Sequence, residues 1–139
     1  MASSGRATAR QRIIGGLLIL AGVLLLAAWG VRAYILMLRW AGTPLLFLHA
    51  VITLVSLAAG VWLCRLGYRT ITRPARVADA RWLALVGLWI TGIGLNRLNL
   101  VLTQPDPNPR AHLHLSVLFI VIGVTLLGMA WFWKRAVLA

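Results

Sequence analysis

Apolar residues fall along this chain in four long runs, residues 13–31, 45–64, 82–103 and 113–133, and polar residues gather between them. Each run has about 19–22 residues, close to the ~20 a helix needs to cross a bilayer's hydrocarbon core at 1.5 Å per residue. The pattern predicts an all-α polytopic membrane protein with four transmembrane helices. Two links are short: residues 39–44 (RWAGTP) and residues 104–109 (QPDPNP). Short links make antiparallel helical hairpins, so the expected architecture is a bundle of two hairpins forming one domain over residues 1–139. Thr43-Pro44 and Asn108-Pro109 each read as an N-cap followed by proline at the first helical position. Pro105, Pro107 and Pro109 stiffen the second link.

Composition agrees with this pattern. The chain has 139 residues, of which 61% are hydrophobic. A soluble domain of this size cannot hide that much apolar surface, so the membrane must supply the apolar environment. The formal net charge is +12. In a soluble chain that would suggest nucleic acid, but none of the required motifs is present, and no nucleic-acid partner is expected. Basic residues here flank the spans and set orientation. Arg6, Arg10, Arg12, Arg65, Arg69, Arg73, Arg76, Arg81, Lys134 and Arg135 fall on the side of the N-terminus, against Arg32, Arg39, Arg97 and Arg110 on the other. The positive-inside rule then predicts both termini in the cytoplasm, with a bacterial inner membrane as the expected location. Arg6, Arg10 and Arg12 ahead of an apolar run resemble a signal peptide. The run is long, and Trp29, Arg32 and Tyr34 follow it in place of a small-residue cleavage site, so an uncleaved first span is expected. The single cysteine, Cys64, allows no intramolecular disulfide.

Two polar regions stand out. Arg65, Arg69, Arg73 and Arg76 form one basic stripe if the second helix continues past the membrane. Such a stripe suits anionic lipid or a membrane-protein partner, although topology alone would also explain it. Pro74 should end that helix and Asp79 should cap the third span. The other region lies near the opposite membrane face. A shift of 65 residues lays Gly22 on Gly87, Arg32 on Arg97, Pro44 on Pro109 and His49 on His114, which suggests a weak tandem repeat. His49 and His114 then sit at similar shallow depth. His112 points to the opposite side of its helix from His114, so His114 is the expected inward residue. Gly92, Asn96, Asn99 and Thr103 share one polar or small face of the third span. Asp106 is the only carboxylate in the outer links and a candidate partner for Arg97.

His49, His114, Asn96, Asn99, Arg32, Arg97 and Asp106 thus form a candidate polar cluster with three readings. It can be a set of interhelical hydrogen bonds that hold the helices in register, as in a non-catalytic structural or accessory component. It can be a b-type haem site, with His49 and His114 as axial ligands and Arg32 and Arg97 on the propionates. Gly30, Gly92 and Gly94 would then leave room for the ring. Or it can be a transport or lipid-handling site in which the two arginines hold an anionic headgroup. A zinc site built on His49, His112, His114 and Asp106 has suitable ligand types, but the i, i+2 histidine pair is awkward on a helix. The chain has no Glu and no Asp inside a span, which counts against a proton-coupled exchanger built on a membrane carboxylate. No nucleophile–base–acid set can be assembled, so an enzyme is not expected. Membrane lipids, a second copy of the chain or another membrane protein are the expected partners.

Overall fold

Thr8 starts the first helix earlier than the apolar run suggests. Its hydroxyl accepts from the Gln11 backbone N–H, and the Gln11 side chain accepts from the Thr8 N–H. This reciprocal cap satisfies two otherwise orphaned donors, so Arg10 and Arg12 lie on the helix. The computed structural model describes residues 8–42, 44–73, 77–104 and 109–138. Its helices are α1 (Ala9–Leu38), α2 (Leu46–Thr72), α3 (Val77–Thr103) and α4 (Pro109–Leu138), with a 3-10 turn at Trp40–Gly42. All four are long and apolar enough to cross a membrane. At 27 or 30 residues they measure about 40–45 Å, so their polar ends extend beyond a hydrocarbon core of about 30 Å.

Of three expected helix starts, two differ. Pro44 does not open α2. That helix begins at Leu46, and its N-cap is Leu45 in the left-handed region (φ 54°, ψ 37°), with no side-chain cap. Thr43, the expected cap, lies outside the described residues. Asp79 does not cap α3 either. It is the third residue of the helix, where a carboxylate still meets the positive end of the helix dipole. At the third end, α4 does start at Pro109, while Asn108 lies outside the described residues. The extension of α2 occurs as expected: Arg65 and Arg69 are on the helix and Arg73 is its C-cap. Pro74 and Arg76 lie outside the described residues.

A leucine held at positive φ costs about 1–2 kcal/mol, and Leu45 is exposed enough to contribute little packing. Leu45→Gly is therefore expected to raise stability by about 0.5–1 kcal/mol after the added backbone entropy of glycine is discounted. A rise in midpoint in a detergent-based denaturation series would show this. A fall would mean that the Leu45 side chain packs in solution.

The chain forms two compact units, Met1–Pro74 and Ala75–Ala139, in which α1 packs on α2 and α3 on α4. Small residues form each seam. In the first hairpin a Cβ added at Gly22 would lie 2.7 Å from the Gly60 carbonyl oxygen, and one added at Gly67 would lie 2.6 Å from that of Gly15. In the second, a Cβ at Gly87 would lie 3.0 Å from the Gly123 oxygen, and one at Gly94 would lie 3.0 Å from that of Ser116. Backbones this close gain dispersion contacts, which matter where lipid removes the hydrophobic drive between helices.

The repeat reappears in the buried positions, with a change of register. The buried residues Gly15, Leu18, Gly22, Leu25 and Trp29 of α1 map by 65 residues onto Ala80, Leu83, Gly87, Ile90 and Gly94 of α3, all buried. On the second helices the shift is 63: Thr53, Ser56, Gly60, Leu63, Gly67 and Thr70 map onto Ser116, Phe119, Gly123, Leu126, Ala130 and Trp133, again all buried. The connection 104–108 is two residues shorter than 39–45, and this absorbs the difference. His49 therefore corresponds to His112 and not to His114; each is the fourth residue of its helix.

Candidate functional site

At the turn end of the first hairpin, Arg32 reaches from α1 to α2. Long side chains on a helix lean toward its N-terminus, which lays the Arg32 guanidinium over the ring of Trp29, three residues earlier, at 4.9 Å from the centroid. Trp29 is itself buried in the seam, at 2% exposure. From that platform Nη2 of Arg32 donates to Nδ1 of His49 at 2.8 Å. A guanidinium has donors only, so Nδ1 must act as the acceptor and the ring proton must sit on Nε2. The Thr53 hydroxyl, one turn on, donates to the His49 carbonyl at 2.7 Å. The result is a three-part brace: an aromatic plate and a cation on one helix, and a neutral imidazole on the other.

The level of Trp29 differs between the two hairpins. Its counterpart in the second hairpin is Gly94, whose added Cβ would lie 2.9 Å from the backbone nitrogen of Ile120, so α3 and α4 touch at that level. In the first hairpin the indole occupies the corresponding position, and an open pocket of about 630 Å³ lies at the turn end, lined by Arg32, Leu36, Arg39, Pro44 and His49 among others. None of its lining residues is acidic. The second hairpin carries related pieces. Arg97 and His112 are both half-buried, at the positions equivalent to Arg32 and His49. The Ser116 hydroxyl donates to the His112 carbonyl at 2.7 Å, as Thr53 does to His49.

The other expected residues are not drawn into these seams. His114 is exposed, whereas His112 is half-buried, so the expected order of inward and outward histidines is reversed within this hairpin. Asn96, Asn99 and Thr103 are exposed, on a different side of α3 from the seam residues Gly87, Ile90 and Gly94. Asp106 lies outside the described residues. Arg65 and Arg73 are exposed at the far end of α2, with Arg69 half-buried between them. Among the described residues no three His, Cys, Asp or Glu side chains come close enough to hold a metal ion.

The haem reading can be tested on the donor set. An axial histidine gives a ring nitrogen lone pair to iron and usually donates its other ring N–H to an acceptor. His49 is engaged in the opposite sense: its Nδ1 lone pair accepts from Arg32, which leaves the proton on Nε2. Gly94, expected to leave room for a ring, packs against Ile120. Sequence alone places Arg32 and His49 in one cluster; what it misses is Trp29 beneath them, for which the i, i+3 spacing of Trp29 and Arg32 is the available signal.

The chain matches no known family model, and no characterised protein or solved structure is similar to it.

Proposed function

We propose that this chain is a non-catalytic structural or accessory component of a membrane, in keeping with a bacterial inner membrane. In this reading its four helices span the bilayer as one bundle with both termini cytoplasmic. The excess of arginine and lysine on the side of the N-terminus supports that orientation. The observation that carries the function is the Arg32–His49 hydrogen bond, in which the polar groups nearest the membrane edge are spent on joining two helices. Its partners are membrane lipids, met partly by the Arg65, Arg69, Arg73 and Arg76 stripe, and a second copy of the chain or another membrane protein.

A second reading, anion binding or transport, has one observation in its favour: Arg32 and Arg39 line the same open pocket. The b-type electron-transfer reading is the one an experiment most readily separates. A dithionite-reduced minus oxidised visible spectrum of protein produced with ample haem is expected to be featureless. A sharp α-band lost in both His49→Ala and His114→Ala would replace the accessory reading with electron transfer.

A further inference from the structure

The second hairpin has a pocket at its other end, where α3 starts and α4 finishes. It measures about 530 Å³ and is lined by Ala80, Arg81, Ala84, Leu127, Ala130, Trp131 and Lys134. Its floor is apolar, and three alanines supply the room. Its rim carries Arg81 and Lys134, and Arg135 stacks on the ring of the lining Trp131 at 4.6 Å from the centroid. An apolar trough beneath clustered cations and a tryptophan matches the profile of a phospholipid at the interface: acyl chain in the trough, phosphate at the cations, indole at headgroup level.

The first hairpin supplies an internal control. By the two register shifts, Ala84 corresponds to Ile19, Lys134 to Ile71 and Arg81 to Gly16. There the trough is filled: a Cβ added at Gly67 would lie 2.7 Å from Cγ1 of Ile19, and one added at Gly15 would lie 2.5 Å from Cγ1 of Ile71. The isoleucines that close this seam in the first hairpin are replaced by Ala84 and Lys134 in the second, where Gly15 and Gly67 become Ala80 and Ala130. Simple topology determination needs basic residues near this end of the helices, but it does not need an emptied trough beside them. We propose that the pocket between the start of α3 and the end of α4 binds one anionic phospholipid of the surrounding bilayer, its phosphate on Arg81 and Lys134 and an acyl chain against Ala84 and Leu127.

The test uses the full chain, purified in mild detergent and titrated with phosphatidylglycerol or phosphatidylcholine, with native mass spectrometry reading the bound fraction. One phosphatidylglycerol should be retained in preference to phosphatidylcholine. At about 1 kcal/mol per surface charge, Arg81→Gln with Lys134→Gln should weaken it roughly 25-fold. Ala84→Ile, which copies the first hairpin and keeps every charge, should also weaken it. Arg10→Gln with Arg12→Gln, two exposed positions on α1, removes the same charge elsewhere and should leave it unchanged. Circular dichroism and the lipid-free melting midpoint establish that each variant is folded. Equal loss in the Arg10/Arg12 control would overturn the proposal in favour of diffuse attraction. Retention in Ala84→Ile, or displacement of the lipid by inorganic phosphate at equal concentration, would overturn it in favour of an anion held without its chain.

Discussion

Gly22→Ala is expected to destabilise the first hairpin by about 1–3 kcal/mol, the range for overpacking a close-packed seam. The added methyl would lie 2.6 Å from Cys64 Sγ, 2.7 Å from the Gly60 carbonyl oxygen and 2.9 Å from the Cys64 backbone nitrogen. Two of those three neighbours are backbone, so no rotamer change makes room; the helices must separate. Separation would also lengthen the contact in which the Cys64 thiol faces the Ile19 carbonyl at 3.8 Å. Gly30→Ala is the matched control. It lies on the same helix with nothing within 4 Å of the added carbon, so only the helix-propensity gain of about 0.5–1 kcal/mol remains. The two substitutions are chemically identical and should have opposite signs in an unfolding titration. Gly123→Ala, whose methyl would lie 2.6 Å from the Thr91 backbone nitrogen, and Gly128→Ala, which meets nothing within 4 Å, repeat the comparison in the second hairpin. A Gly22→Ala protein as stable as its parent would mean that the seam is looser in the bilayer.

These seams explain why the fold was more legible than the site. Helix number and rough position follow from run length alone, because a bilayer imposes one thickness on every span. Helix ends do not follow from run length. Thr8 and Gln11 extend α1 backwards through a local cap, and Leu45 takes a conformation that no side-chain preference would assign to leucine. The repeat was visible as Arg32 on Arg97, but a single shift was carried through both helices. Burial shows that the shift changes from 65 to 63 at the connection, which moves the counterpart of His49 from His114 to His112. The side chains around a polar pair depend on such two-residue differences, since each residue turns a helix by about 100°. Gly94, which the sequence reading assigns to leaving room for a flat ring, packs on Ile120 once the helix facing it is known.

His49→Leu should cost more than Arg32→Leu, although arginine makes the larger set of contacts. Removing the imidazole takes one hydrogen-bond acceptor from a half-buried guanidinium, and a partly buried charge that loses an acceptor is destabilised. A loss of about 1.5–3 kcal/mol is expected, the range for a hydrogen bond to a charged group. Removing Arg32 gives up the same bond and the stacking on Trp29, itself worth about 0.5–2 kcal/mol. It also removes the cost of holding a cation beside an apolar plate, and neutral His49 can turn to water or headgroups. A net loss of about 1 kcal/mol or less is expected for Arg32→Leu. The double variant should then be little worse than Arg32→Leu, giving a coupling energy close to the His49→Leu loss, about 1.5–3 kcal/mol, in a double-mutant cycle on thermal or denaturant midpoints. Additive losses would mean that the two side chains act independently in the bilayer. The accessory reading would then lose the bond that carries it, and Arg32 beside Arg39 would be better understood as part of an anion pocket.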